Sequence, residues 1–161
     1  LEQYNQAQEY LQQSIETYQA VGNRWGSSSI ISERGVIALL QKKYTLARSY
    51  FEQSIAIRRD LGNVLHRAGD LLWLGKVAEV QEQRAEAESH YQEALQLLEA
   101  VDEPINKASA LFLLAKLRFT QGMQGVSSTL EQFQIALQLA QSGDSQPLLQ
   151  EIREEIEKVN Q

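Results

Sequence analysis

Apolar residues recur along the chain at helical spacing, and the whole arrangement returns every 40 residues. Tyr4, Tyr44 and Arg84 open three segments in register, followed by Ala7, Ala47 and Ala87, by Ser14, Ser54 and Ala94, and by Ile15, Ile55 and Leu95. A fourth copy arrives late. Phe133-Gln-Ile-Ala136 matches Tyr91-Gln-Glu-Ala94 at a spacing of 42, which places an insertion in the Gly122 to Ser128 loop. No stretch alternates as a half-buried strand does, so the pattern predicts an all-α chain. A long fixed period marks a solenoid, in which each unit buries its apolar face only against its neighbours.

One helix of the unit runs from Tyr44 to Asp60, where Leu46, Tyr50, Phe51, Ile55 and Ile57 form an apolar stripe, and Ala87 to Ala100 repeats it. The other helix runs from Trp25 to Gln41, from Leu65 to Gln81 and from Ile105 to Gln121. Between them stand Gly22-Asn23 and Gly62-Asn63: glycine suits the left-handed residue that ends a helix, and asparagine can cap the next one. The later turns are Asp102-Glu103-Pro104 and Gly143-Asp144, where Asp can accept from free amides and Pro104 suits a first helical turn. Gly35, Gly75 and Ala115 fall mid-helix at the same period. Glycine there costs about 1 kcal/mol relative to alanine. The expected offset is a nearly backbone-to-backbone approach by the helix bearing Ala47 or Ala87, with Ile31, Leu71, Leu74, Leu111 and Leu114 filling the surround.

Leu71, Leu74-Gly75, Ala78, Ala87, Tyr91 and Ala94, with Ile31, Gly35, Ala38, Ala47, Phe51 and Ser54 one period earlier, resemble the tetratricopeptide repeat in its longer form. The resemblance covers nearly the whole chain. It implies a right-handed α-α superhelix of antiparallel helix pairs, with about eight helices in a single array. By that register an orphan second helix (Glu2 to Ala20) occupies 1–23, repeats occupy 24–63, 64–103 and 104–144, and a capping helix (Pro147 to Val159) lies in 145–161. Glu151, Glu154, Glu155 and Glu157 would make one face of that cap polar. The phrases Gly22-Asn-Arg-Trp-Gly26 and Gln53-Ser-Ile-Ala-Ile-Arg-Arg-Asp-Leu-Gly62 resemble arrays attached to bacterial multidomain signalling ATPases and transcription regulators.

In the family, the first helix of each repeat lines a concave groove. The resemblance carries this role to Ser29, Ser32, Val36, Leu39 and Leu40, to Gly69, Leu72, Lys76, Glu79 and Val80, and to Ser109, Phe112, Lys116, Phe119 and Thr120. Lys76 and Lys116 are equivalent positions that could hold a carboxylate, and Leu72, Phe112 and Phe119 would be apolar anchors. Chaperone-binding members clamp a terminal carboxylate with Asn and Lys, but Val36, Lys76 and Lys116 stand where that Asn would be useful. The implied function is to bind a protein or peptide segment, an acidic one by the lysines, as a module of a larger bacterial regulatory or signalling protein. The alternatives are a self-association surface and a rigid spacer, with the groove meeting other parts of the same full-length chain.

Composition narrows this without redirecting it. The 161 residues are 43% hydrophobic and 22% charged, as in ordinary globular proteins, and no run approaches the ~20 apolar residues of a membrane span. Leu1 to Tyr10 is polar where a signal peptide would be apolar, so a cytoplasmic setting is expected; Leu1 in place of Met points to a fragment or a processed chain. The formal charge of -6 argues against nucleic acid as a partner, although residues 24 to 67 hold eight Lys/Arg against three acids. That basic stretch reads as a solvated helix surface before it reads as a steering patch. Cysteine is absent, which removes disulfides and thiolate chemistry.

Nothing in the chain assembles a catalytic, metal or cofactor set. His66 and His90 stand apart from acids and from each other, and catalysis would require a pocket converging on one of them. Gly69 to Lys76 fails as a phosphate loop because five residues separate its glycines and Val77 follows the lysine. Pairs such as Glu86 with Glu88 read as solvated charge. Three smaller expectations remain: Arg34, which replaces the Leu74 and Leu114 of other copies, is exposed at the N-terminal edge or, if buried, partnered near Glu33 or by an acid on the first helix such as Glu16; Gly26-Ser27-Ser28-Ser29 is a loose first turn; Trp25 and Trp73 are buried between helices.

Overall fold

A computed structural model describes residues 2–161. Among these residues there are eight α-helices and no strand: α1 (Glu2–Ala20), α2 (Arg24–Leu40), α3 (Tyr44–Asp60), α4 (Val64–Val80), α5 (Arg84–Leu98), α6 (Pro104–Thr120), α7 (Val126–Ser142) and α8 (Gln146–Val159). Each packs against its neighbour in sequence, and α2 also meets α4 as α4 meets α6. α2, α4 and α6 therefore lie side by side. The helix expected over Ala87 to Ala100 starts at Arg84 and ends at Leu98, and α7 begins at Val126, so the inserted loop is shorter than Gly122 to Ser128.

The turns follow from local chemistry. Gly22 and Gly62 take left-handed backbone (φ 69° and 66°), while the Asn23 and Asn63 side chains accept from the amides of Gly26 and His66 at 2.9 and 3.3 Å. At the third such turn it is Glu103, not Asp102, that caps, accepting from the Asn106 amide at 2.7 Å, with Pro104 in the first turn of α6. At the fourth the left-handed residue is Asp144 (φ 53°), not Gly143. Gly143 is instead pressed against Ile105 and Pro104, so small size is what that site requires.

The mid-helix glycines make room for rings. A Cβ on Gly35 would lie 2.7 Å from the Phe51 ring, and one on Gly75 would fall inside van der Waals contact of Tyr91. The expected backbone-to-backbone approach is thus corrected: the space is filled by the aromatic side chain of the following helix, one turn beyond the fully buried Ala47 or Ala87. Gly26 repeats the arrangement under Tyr18, and Gly26-Ser27-Ser28 is buried helix, not a loose turn.

One buried layer changes character along the array. In the second copy it consists of Ala68, Leu72, Ala94, Leu98 and Ala110, and in the third of Ala108, Phe112, Ala136, Ala140 and Ile152, all buried. The same positions of the first copy are Ser28, Ser32, Ser54, Arg58 and Asp70. Arg58 and Asp70 form an ion pair of 2.7 Å, with Asp70 only 1% exposed. Ser32 Oγ donates to Asp70 Oδ1 at 2.6 Å, Arg58 Nη1 donates to the His66 carbonyl at 2.8 Å, and Ser54 Oγ donates to the Ser28 carbonyl at 3.0 Å. Burial pushes the Asp70 carboxyl up and the Arg58 guanidinium down, and their mutual attraction, with the Ser32 and Ser54 hydroxyls at Asp70, opposes both. A guanidinium does not lose its proton in water-based pH ranges, so the Asp70 carboxyl faces a cation at 2.7 Å.

Candidate functional site

Residues from α2, α4 and α6 converge on one recess of about 410 Å³, lined by Leu39, Lys76, Glu79, Val80, Leu113 and Lys116. A second hollow beside it shares Lys76 and Leu113 and adds Gly69, Leu72, Trp73, Asn106 and Ser109. These side chains meet because α2, α4 and α6 are adjacent. The groove so formed brings together the expected Lys76, Glu79 and Lys116.

The two lysines, equivalent by period, differ in state. Lys116 Nζ lies 3.0 Å from Glu155 of α8, and Glu155 also takes Lys158 at 2.7 Å. Burial works to raise the Glu155 carboxyl, but hydrogen bonds from Lys158 and Lys116 outweigh it and leave the group below its usual range. Lys76 makes no ion pair among the described residues; its ammonium sits 4.7 Å from the centre of the Trp73 ring. The residue that occupies, by period, the place of Glu155 next to Lys76 is Leu113. Beside them Glu79 accepts a short hydrogen bond from the Tyr91 phenol. Burial first, then that bond and the carboxylate's charge, hold the phenol protonated far above its usual range.

Of the other expected groove residues, Leu39 and Val80 line the recess and Gly69, Leu72 and Ser109 the hollow beside it, while the rest lie elsewhere. Phe112 is 0% exposed and packs against the Phe133 ring at 5.1 Å, so it is no open anchor, whereas Leu72, though largely buried, reaches the hollow. They stand three residues before the small position, a face turned into the core. Ser32 commits its hydroxyl to Asp70, and Ser29 donates to the Trp25 carbonyl at 3.3 Å. Val36 is partly buried against the core, Leu40 and Thr120 are largely exposed, and Phe119 is half-buried. The apolar wall of the recess comes from Leu39, Val80, Leu113 and Trp73. Trp73 and Leu113 escaped the sequence reading although both lie two residues before the small position, a signal the period carries.

Two further expectations are corrected. Arg34 is half-buried: it donates to Gln12 on α1 at 2.5 Å and lies 4.5 Å over the Tyr50 ring. Trp25, in the first turn of α2, is 53% exposed and meets His66 edge-on. Half of the basic stretch is paired, Arg24, Arg48, Arg58 and Arg67 with Asp60, Glu86, Asp70 and Glu93, while Arg24, Lys42, Lys43 and Arg59 are exposed, as a solvated surface would be.

His90 lines a depression of about 210 Å³ with Glu52, Arg59, Leu71, Leu74 and Glu93. The carboxylate facing its ring is Glu86, at 3.6 Å, beyond direct proton-transfer reach and already held by Arg48. Among the described residues no three His, Asp or Glu side chains could hold a metal ion, and no helix is long and apolar enough to cross a membrane.

No protein-family model and no curated protein sequence matches the chain. Solved structures do. BtubC (BKLC) from P. vanneervenii aligns over 98% of this chain and 73% of its own, with a TM-score of 0.69 at 12% identity. The kinesin light chain TPR-like repeats of Podosopora anserina align over 99% and 93%, with a TM-score of 0.58 at 13% identity. The Sgt2 TPR domain from Aspergillus fumigatus aligns over 83% and 81%, with a TM-score of 0.56 at 18% identity. The fold is that of a tetratricopeptide-repeat array. The recess lies where α2, α4 and α6 run side by side. At these identities the likeness fixes the fold, a helical-repeat scaffold, and leaves the ligand to the groove's own chemistry.

Proposed function

We propose that the chain is a protein- or peptide-binding scaffold whose groove takes an acidic side chain flanked by an aliphatic one. The observation that carries this reading is the contrast between the lysines. Lys116 holds a carboxylate from α8, and that pair models how a ligand carboxylate would meet Lys76, whose own partner position holds Leu113. Leu39, Val80 and Leu113 supply the apolar surround, and Trp73 orients the ammonium. The Sgt2 TPR domain and kinesin light chain repeats are neighbours whose fold is compatible with such a role. The wider setting, a module of a larger bacterial regulatory protein, rests on the sequence phrases around Trp25 and Arg58.

The test is selection from displayed peptides, followed by fluorescence anisotropy of the best acidic-aliphatic peptide. Lys76→Glu is expected to weaken binding by about tenfold or more, with Lys116→Glu having a smaller effect because Glu155 already neutralises it. Equal affinity of Lys76→Glu and the parent, with the helical signal intact, overturns the reading. Self-association or an in-cis contact is the second reading, favoured by Glu155 reaching Lys116 from the chain's own α8. A concentration-dependent mass in sedimentation equilibrium, without peptide binding, would support it.

A further inference from the structure

We propose that the polar layer of Ser32, Arg58 and Asp70 is an addressing device: it admits only α4 against α2 and α3, and so fixes the order in which near-identical helix pairs stack. The problem it answers is built into the period. Because α2, α4 and α6 share their spacing of apolar residues, as α3 and α5 do, α6 could be received where α4 belongs, from the same chain or from another copy.

In the apolar copies such an exchange brings a mismatch of size only, Leu98 against Ile152 or Ala140 against Ala110, and leaves no charge unpaired. The first copy is different. If α6 replaced α4, Arg58 would face Ala110 in place of Asp70; if α4 replaced α6, Asp70 would face Leu98. Either exchange leaves one ion buried without its partner, which is far more costly than a mismatch of aliphatic groups. Asp70 is fixed from both sides of the correct pairing: Arg58 on α3 at 2.7 Å and Ser32 on α2 at 2.6 Å. Arg58 also ties α3 to the backbone of α4 through the His66 carbonyl. A buried charge pair adds little stability over apolar side chains of like volume, so its retention here points to selectivity.

The test transplants the second copy's residues into the first. Arg58→Leu and Asp70→Ala alone are expected to lower the thermal midpoint by about 10 °C. Arg58→Leu with Asp70→Ala, which copies Leu98 and Ala110, is expected to restore it. Refolded from urea at rising protein concentration and sized by light scattering beside the parent, the double variant should form several-fold more dimers and larger species. A double variant that regains stability and refolds with the parent's size distribution overturns the proposal. So does a double variant as unstable as the singles, or singles as stable as the parent, since either would mean the two ions are not coupled.

Discussion

The first and second helix pairs share one backbone plan and solve the same interior differently. Between α2, α3 and α4 the buried layer is a charge pair ringed by hydroxyls; between α4, α5 and α6 the same positions are Ala68, Leu72, Ala94, Leu98 and Ala110. The apolar version is tolerant of its neighbour, because dispersion contacts and water exclusion have no fixed direction. The polar version is not, because each ion must meet a donor or acceptor at one distance and angle. Two equally buried layers can thus differ in how strictly they define what may lie next to them.

The sharpest break in this comparison is to put one ion into the apolar copy. Leu98→Arg buries a guanidinium opposite Ala110 and is expected to destabilise by about 4 kcal/mol or more in urea unfolding, with Ala110→Asp added to it recovering part of the loss. If Leu98→Arg unfolds like the parent, the second layer is looser than its burial implies.

That layer also marks the limit of what the chain discloses on its own. The helices, the Asn23 and Asn63 caps and the left-handed Gly22 and Gly62 were legible because they depend on neighbours a few residues away. Groove membership was half legible. Lys76, Glu79 and Lys116 share one recess and Leu72 lines the hollow beside it, but Phe112 lies in the core, since one residue's rotation of 100° on a helix separates a groove position from a core position. Arg58 and Asp70 were invisible singly, for an isolated charge on a helix reads as solvated. Only the apolar identity of Leu98 and Ala110 at the same places in the next copy exposes them.

A feature common to both pairs sets the next effect. Gly35 and Gly75 each face an aromatic ring, so Gly75→Leu should overpack against Tyr91 and cost about 1 to 3 kcal/mol, with Gly35→Leu similar against Phe51. An unchanged melting curve for either would show that the ring can swing aside. The smallest effect lies at the other end of the array. Glu155 has its pKa lowered on folding, so it contributes stability above its unfolded value, and that contribution is lost as pH falls through the folded one. Acid titration followed by circular dichroism should show α8 loosening in that window, and Glu155→Gln should remove the acid dependence. A titration curve identical in the parent and the variant would detach Glu155 from the docking of α8.

The placement of the two tryptophans gives the molecule an optical channel. Trp25 is open to solvent, while Trp73 lies parallel to the Phe51 ring at 6.2 Å with the Lys76 ammonium on it. A carboxylate drawn to Lys76 would change the electric field across the Trp73 indole and leave Trp25 as an internal standard. Groove occupancy is therefore written into the emission spectrum of the unlabelled chain.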